Sequence, residues 1–130
     1  MFSHIAVGTN DLEKAKRFYD AVLGALGYDE GIKDDNVHRR RYVYRDDTGM
    51  FIITEPLDRR PATHANGGTV GFECSSAAQV DLWHAAGLAN HGTSIEAPPG
   101  VREAPGGRLY LAYLRDPDGN KICALYRIRS

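Results

Sequence analysis

The densest run of charge in the chain is His38-Arg39-Arg40-Arg41, and it is the first candidate for chemistry. A guanidinium binds a carboxylate or a phosphate through two parallel hydrogen bonds. Arg39 and Arg41 therefore suit the binding of a small anionic substrate at the rim of a cavity. The same run is also typical of a solvated loop and strand edge. The formal net charge of −1 gives no support to a nucleic-acid partner.

Three further side chains carry reactive groups: His4, Glu55 and Cys123. Imidazole titrates near neutral pH and is a common metal ligand. Glu55 lies at a strand end before Pro56, and a carboxylate buried there would have a raised pKa that suits a general base. Cys123 needs a positive neighbour or a base to become reactive. Structural roles stay open for all three, as a strand histidine, a solvated rim carboxylate and a core thiol.

A tight turn followed by a strand positions Cys123. Residues 116–119, Asp-Pro-Asp-Gly, have turn chemistry, since proline presets φ and glycine accepts a positive φ. Alternation along the next strand places Lys121, Cys123 and Leu125 on one face, and the intervening residues on the other.

The sequence contains two copies of one structural unit. Residues 45–49 (RDDTG) are a weaker copy of residues 115–119 (RDPDG), and residues 4–7 (HIAV) match residues 69–72 (TVGF). In both matches the second copy lies about half of the 130-residue chain after the first. Such an internal repeat predicts two similar modules, which we place at residues 1–57 and 68–130, with a Pro- and Gly-containing linker between them.

Each module has the pattern strand, helix and then three strands. In the first module, Asn10 and Glu13 form a capping-box-like pair before the helix, and residues 40–45 and 50–55 alternate as strands. In the second module, Ser76 and Gln79 cap a helix that buries Val80, Trp83 and Gly87. Residues 97–107 contain three prolines and three glycines, which predicts a loop and a candidate lid.

The composition is that of an ordinary globular domain, with 25% charged and 42% apolar residues. No apolar run approaches the roughly 20 residues that span a bilayer. The sequence has two cysteines and shows no export signal. We therefore expect a cytoplasmic protein with reduced thiols and no membrane partner.

These features together resemble the vicinal-oxygen-chelate superfamily. The resemblance is carried by HIAV before a capped helix that ends in FYDAVLGALGY, by the two modules and by the closing DPDGNKI strand. The superfamily includes glyoxalase I, extradiol dioxygenases, and bleomycin- and fosfomycin-resistance proteins. The resemblance covers nearly the whole chain. It implies an α+β fold in which two βαβββ modules form curled mixed sheets around a shared cavity, but it does not define a reaction.

The resemblance also implies a set of site positions. Metal-binding members take ligands from the first and last strand of each module, and the divalent metal acts as a Lewis acid. Matched position by position, this set becomes His4, Ile53, Thr69 and Cys123, with Glu55 two residues beyond Ile53. The resemblance thus implies metal binding by His4 and Glu55, with zinc the most plausible ion beside a thiolate. The substituted positions are equally consistent with no metal cofactor.

Two functions follow as expectations. One is a glyoxalase-like lyase or isomerase in which His4 and Glu55 are catalytic. Its substrate-binding residues would be Arg39, Arg41, Thr69, Tyr110 and Cys123. The other is a non-catalytic protein that binds or sequesters a small molecule at a degraded metal site. A weaker third expectation is protein interaction through an exposed sheet edge. The resemblance also implies a homodimer with cavities near the interface.

Overall fold

The structure is a computed structural model that describes residues 1–35 and 39–129. His38 of the arginine-rich run lies outside the described residues. The described elements of the first module are β1 (His4–Gly8), α1 (Leu12–Ala25), β2 (Ile32–Asp35), β3 (Arg40–Asp46) and β4 (Gly49–Thr54). Those of the second module are β5 (Val70–Glu73), α2 (Ala77–Leu88), β6 (Thr93–Ala104), β7 (Gly107–Arg115) and β8 (Lys121–Arg127).

Each module contributes one four-stranded mixed sheet. The strand orders are β1-β4-β3-β2 and β5-β8-β7-β6. In both sheets the first strand of the module runs parallel to its last strand, and the other pairs are antiparallel. The predicted α+β fold of two βαβββ modules with curled sheets is therefore confirmed. No helix in the described part of the chain is long and apolar enough to span a membrane.

The prediction of a loop over residues 97–107 is wrong. This stretch forms most of a hairpin in which β6 pairs with β7 as far as Ala104 and Gly107, with a register shift between Ile95 and Gly100. Prolines are tolerated here because β6 is an edge strand and the register shift relieves part of its pairing.

The helix caps agree with the prediction in one module only. Ser76 Oγ accepts a hydrogen bond from Gln79 N at the start of α2, as expected. The N-cap of α1 is Asp11, whose Oδ1 accepts from Lys14 N. Asn10 instead binds the linker, because its side chain both donates to Ala62 O and accepts from Ala62 N.

One hydrophobic core lies between the two sheets and includes both helices. α1 and α2 pack against each other, and each sheet turns one face toward them. The rings of Phe51 in β4 and Phe72 in β5 meet edge to face, with centroids 5.2 Å apart. Helix α2 packs closely at Gly87, where an added Cβ would lie 2.3 Å from Leu114 Cδ1 of β7 and 3.3 Å from Val22 Cγ1 of α1.

The closing turn of the second module, residues 116–120, is bonded to the first module. Asn10 N donates to Asp118 Oδ1 at 2.8 Å. Asn120 Nδ2 donates to Gly8 O, at the end of β1, at 3.0 Å. The two halves are therefore joined by polar contacts as well as by the core.

Candidate functional site

Each sheet has an inner face that packs on the helices and an outer face that no helix of the described chain covers. In β4, Phe51 and Ile53 belong to the core, so Ile52 points outward. In β8, Ile122 and Ala124 belong to the core, so Cys123 points outward. Because both inner faces contribute to one core, the two outer faces of a chain point away from each other.

Buried apolar side chains form the floor of both outer faces. Ile52 in the first sheet and Leu111 and Cys123 in the second are each 4% exposed. None of these three residues belongs to the core cluster between the sheets. They are therefore shielded by neighbours on their own curled sheet, and they form an apolar surface separate from the core.

His4 lies on the outer face of the first sheet. It pairs with Met50 at the start of β1, and its side chain is exposed. The imidazole Nδ1 is 2.8 Å from Ser3 Oγ. The ring is thus accessible to a ligand on the same face as Ile52.

Glu55 lies on the opposite face of that sheet. Its backbone N donates to Arg40 O, which continues the β3–β4 pairing by one residue and gives Glu55 the orientation of Ile53. Its carboxylate accepts from Arg40 Nε at 3.2 Å and from Arg40 Nη2 at 2.8 Å. These hydrogen bonds lower the pKa of Glu55. Glu55 therefore shares the face of Ile53, as expected, but this is not the face of His4, and its pKa is lowered rather than raised.

The register of the parallel strands shows why the sequence match to Ile53 is off by one residue. Ala6 matches Gly71 in the sequence repeat, and the structure pairs Ala6 with Ile52 and Gly71 with Cys123. The counterpart of Cys123 is therefore Ile52 and not Ile53. Residues 46–49 separate Arg45 from its pairing partner Met50, whereas residues 116–120 separate Arg115 from Lys121, so the first connection is one residue shorter and the count from the turn glycine shifts by one.

Cys123 is on the outer face of the second sheet, and Thr69 is exposed just before β5. Burial raises the pKa of the Cys123 thiol to about 11, although a hydrogen bond with Tyr113 opposes this rise. The thiol is therefore protonated at neutral pH, which makes it a poor nucleophile.

The predicted donor set does not fit a metal centre within one chain. His4 and Glu55 lie on opposite faces of the first sheet, and Cys123 lies on the second sheet. Within residues 1–35 and 39–129, no three His, Cys, Asp or Glu side chains gather closely enough to hold a metal ion. The family-implied zinc site is therefore not formed by these residues within one chain.

The predicted substrate-binding residues are divided between the two faces. Arg41 is on the outer face of the first sheet, where its Nε donates to Asp34 Oδ2 at 2.8 Å. Arg39 is half-buried just before β3. Tyr110 is on the inner face, and its hydroxyl donates to Asp81 Oδ1 of α2 at 2.7 Å. Tyr110 therefore does not share the face of Cys123.

A charged cluster on the outer face of the second sheet was not predicted. Lys121 Nζ lies 2.5 Å from Glu96 Oε2 and 4.7 Å from the ring centroid of Tyr113. Glu96 has a φ of 59°, in the left-handed region that non-glycine residues seldom adopt. It lies in the register shift of β6, so the irregular strand brings its carboxylate across β7. The Pro98-Pro99 pair signals an irregular strand in the sequence, but not this pairing.

Two neighbouring cavities lie on the helix side, between the modules. One has a volume of about 280 Å³ and is lined mainly by apolar and aromatic side chains, among them Tyr28, Phe51 and Phe72. The other has a volume of about 660 Å³, shares Tyr28 and Phe72, and reaches Arg127. None of the predicted site residues lines either cavity. These cavities and the outer faces are two separate candidate sites.

The chain belongs to the Glyoxalase/Bleomycin resistance protein/Dioxygenase superfamily, whose family model matches residues 1–124. It is similar to a glyoxalase/bleomycin resistance protein from Albidiferax ferrireducens T118. The two are 58% identical with a TM-score of 0.91, and the match covers 98% of this chain and 99% of that chain.

More distant solved structures share the fold alone. A putative glyoxalase from Bacillus halodurans is 20% identical with a TM-score of 0.72, over 97% of this chain and 95% of that chain. Lactoylglutathione lyase from Agrobacterium tumefaciens is 21% identical with a TM-score of 0.65, over 97% of this chain and 92% of that chain. No functionally curated protein matches the chain.

Proposed function

We propose that the chain binds a small anionic molecule on the outer faces of its sheets. The observation that supports this most is the apolar floor of Ile52, Leu111 and Cys123, which lies outside the core and under no helix of the described chain. Small-molecule sites combine such an apolar lining with a few polar groups that orient the ligand. Arg41 and Lys121 lie on these faces, so a ligand with an apolar body and a negative group suits them.

A second copy of the chain would complete the pocket. Because the outer faces of one chain point apart, a cavity enclosed by both kinds of sheet needs the first sheet of one chain opposite the second sheet of another. A two-fold dimer creates two such pairings at once. The homodimer is therefore part of the proposed function.

Binding without turnover is the function that the side chains favour. The Cys123 thiol is protonated at neutral pH, and Glu55 is paired with Arg40 on the inner face. Of the expected reactive groups, His4 and Cys123 lie on outer faces, and His4 is the exposed one of the two. Lyase or isomerase activity is the second candidate, and the exposed His4 imidazole beside Ser3 is the observation that favours it.

An NMR titration of the isotopically labelled chain tests the binding site. Small carboxylates and phosphonates should shift the backbone amide signals of Ile52, Leu111 and Cys123, and neutral amides of the same shape should shift them less. Shifts confined to residues of the helix-side cavities, such as Tyr28 and Phe72, would overturn the outer-face site.

Sedimentation tests the second copy. We expect a dimer for the unmodified chain and a monomer for Ala6→Glu, since Ala6 is exposed on the outer face of the first sheet. Ala85→Glu is the matched control, because Ala85 is exposed on α2. A monomeric unmodified chain that still binds the anions would remove the dimer from the proposal.

A further inference from the structure

Arg102 is held beside the apolar floor of the second sheet. It pairs with Leu109, and Gly100 pairs with Leu111, so both β6 residues belong to the outer face. The half-buried side chain folds back along its own strand, where Nη2 donates to Pro98 O at 2.9 Å and Nη1 donates to Val101 O at 3.4 Å. A Cβ added to Gly100 would lie 3.2 Å from Nη1. The guanidinium therefore lies over Gly100, next to Leu111.

The charge of Arg102 has no carboxylate partner among the ion pairs of the described residues. Its two acceptors are neutral carbonyls, and they use only part of its N–H groups. Arg41 and Lys121 differ in this respect, because Asp34 and Glu96 neutralise them. A half-buried cation without a counter-ion has lost part of its hydration, and an anion would restore its electrostatic balance.

Arg127 of β8 also pairs with Leu109, but it is exposed and lines the larger helix-side cavity. Arg115 is the other alternative on the same face. Its Nη1 donates to Gly119 O at 2.9 Å, so it also lacks an acidic partner in that bond. It lies at the far end of β7, beside the closing turn, whereas Arg102 neighbours Leu109 and Leu111. Arg102 is thus the cation that can hold a negative group while the rest of the ligand lies on the floor.

We infer that Arg102 binds the negative group of the ligand, and that the ligand is a small carboxylate or phosphate with an apolar body. This inference rests on the proposed function and deepens it. It transfers the anion-binding role from Arg39 and Arg41 of the first module to β6 of the second. It also assigns a use to the irregular strand, because the carbonyl of Pro98 orients the guanidinium.

Titration calorimetry with two isosteric probes tests the inference. Phenylacetate carries the negative group, and phenylacetamide is its neutral counterpart. Arg102→Gln should weaken phenylacetate binding about tenfold to a hundredfold and leave phenylacetamide binding unchanged. Arg102→Lys should give an intermediate loss, since lysine keeps the charge but lacks the planar fork. Arg108→Gln is the control, because Arg108 is an exposed cation in the same hairpin.

The outcomes separate the inference from its premise. If the unmodified chain binds phenylacetate on the outer face and Arg102→Gln binds it equally well, Arg102 is not the anion-binding residue and the proposed function stands. If Arg102→Gln weakens the binding of both probes equally, Arg102 contributes to the shape of the surface but does not recognise the negative charge, which also overturns the inference. No binding of phenylacetate at millimolar concentration counts against both.

A second variant keeps the test valid if Arg102→Gln does not fold. Gly100→Ala retains the arginine but pushes its guanidinium, because the new Cβ would approach Nη1. It should weaken phenylacetate binding several-fold more than phenylacetamide binding. Equal effects on the two probes would contradict the role of Arg102.

Discussion

The hydroxyl of Tyr19 in α1 donates a 2.6 Å hydrogen bond to Oδ2 of Asp116, which begins the closing turn of the other module. Tyr19 is 0% exposed and Asp116 is 4% exposed. Asp116 also accepts from the backbone N of Asp118 and from both the backbone N and the side-chain Nδ2 of Asn120. One buried carboxylate therefore shapes the turn and attaches it to the helix of the first module.

Removing the Tyr19 hydroxyl should destabilise the protein. Tyr19→Phe takes one donor from a buried carboxylate, and we expect the free energy of unfolding to fall by about 1–3 kcal/mol in a urea titration. Tyr28→Phe is the control, since the Tyr28 hydroxyl donates to Asp46 near the surface, and it should change stability by no more than about 0.5 kcal/mol. Equal losses in the two variants would contradict the special position of Asp116.

Two glycine substitutions in helices should have opposite effects. An alanine at Gly87 would place its Cβ against Leu114 and Val22, so we expect a loss of about 1–3 kcal/mol. Gly24 in α1 has open space around it, so Gly24→Ala should gain roughly 0.5–1 kcal/mol from helix propensity. Thermal and urea unfolding measure both, and a stabilising Gly87→Ala would show that α2 can move away from β7 and α1 without cost.

His84 should make stability depend on pH in the mildly acidic range. Burial lowers the pKa of His84 below its usual 6.5, against the opposing effect of Asp81. The unfolded chain then binds the proton more readily, so the folded state loses stability as the pH falls through the unfolded pKa. From about pH 8 to about pH 5.5, the unmodified chain should lose more free energy of unfolding than His84→Gln. Equal losses would mean that His84 titrates normally in the folded state.

Both thiols should react slowly in the folded protein. Burial raises the pKa of Cys74 and of Cys123 to about 11, so little thiolate is present at neutral pH. Iodoacetamide at about pH 8 should label the native chain far more slowly than the chain in urea, and the rate should rise with pH. A thiol that reacts equally fast in both states would instead identify an activated cysteine.

Metal analysis tests the donor geometry. Protein purified without a chelator or a metal-affinity tag should contain no stoichiometric divalent metal, because His4, Glu55 and Cys123 do not gather on one face. His4→Ala should leave the metal content unchanged. About one metal ion per chain, lost in His4→Ala, would show that a second copy supplies the missing ligands to His4.

The two-module fold could be predicted from the sequence because its signals are local. Alternation in residues 121–126, the Ser76 cap and the turn at residues 116–119 each follow from neighbouring residues. The repeat then indicates that the two halves have the same order of strands and helix. The module boundaries at residues 57 and 68 remain a prediction.

The site was harder to predict because it depends on register and on packing between distant segments. The connection from Arg45 to Met50 is one residue shorter than the connection from Arg115 to Lys121. This difference makes Ile52, and not Ile53, the counterpart of Cys123. Glu55 shares the face of Ile53 as expected, but that face packs on the core and is not the face of His4 and Cys123. Arg102 and Glu96 were missed because the prolines of β6 resemble a loop in the sequence. The packing of the helices between the sheets, which separates the outer faces, has no local signal.

The bonds between the closing turn and the first module set a rule for recombining halves of related proteins. Two of the groups on the first module, Gly8 O and Asn10 N, belong to the main chain, and nearly any sequence provides them. The third is the side-chain hydroxyl of Tyr19, which the first half must supply. The groups on the second module are the side chains of Asp118 and Asn120, which a donor sequence must supply. A chimera whose second half carries Asp-Gly-Asn at this turn should assemble with a foreign first half that has a tyrosine at the position of Tyr19, whereas a second half without those two side chains should not.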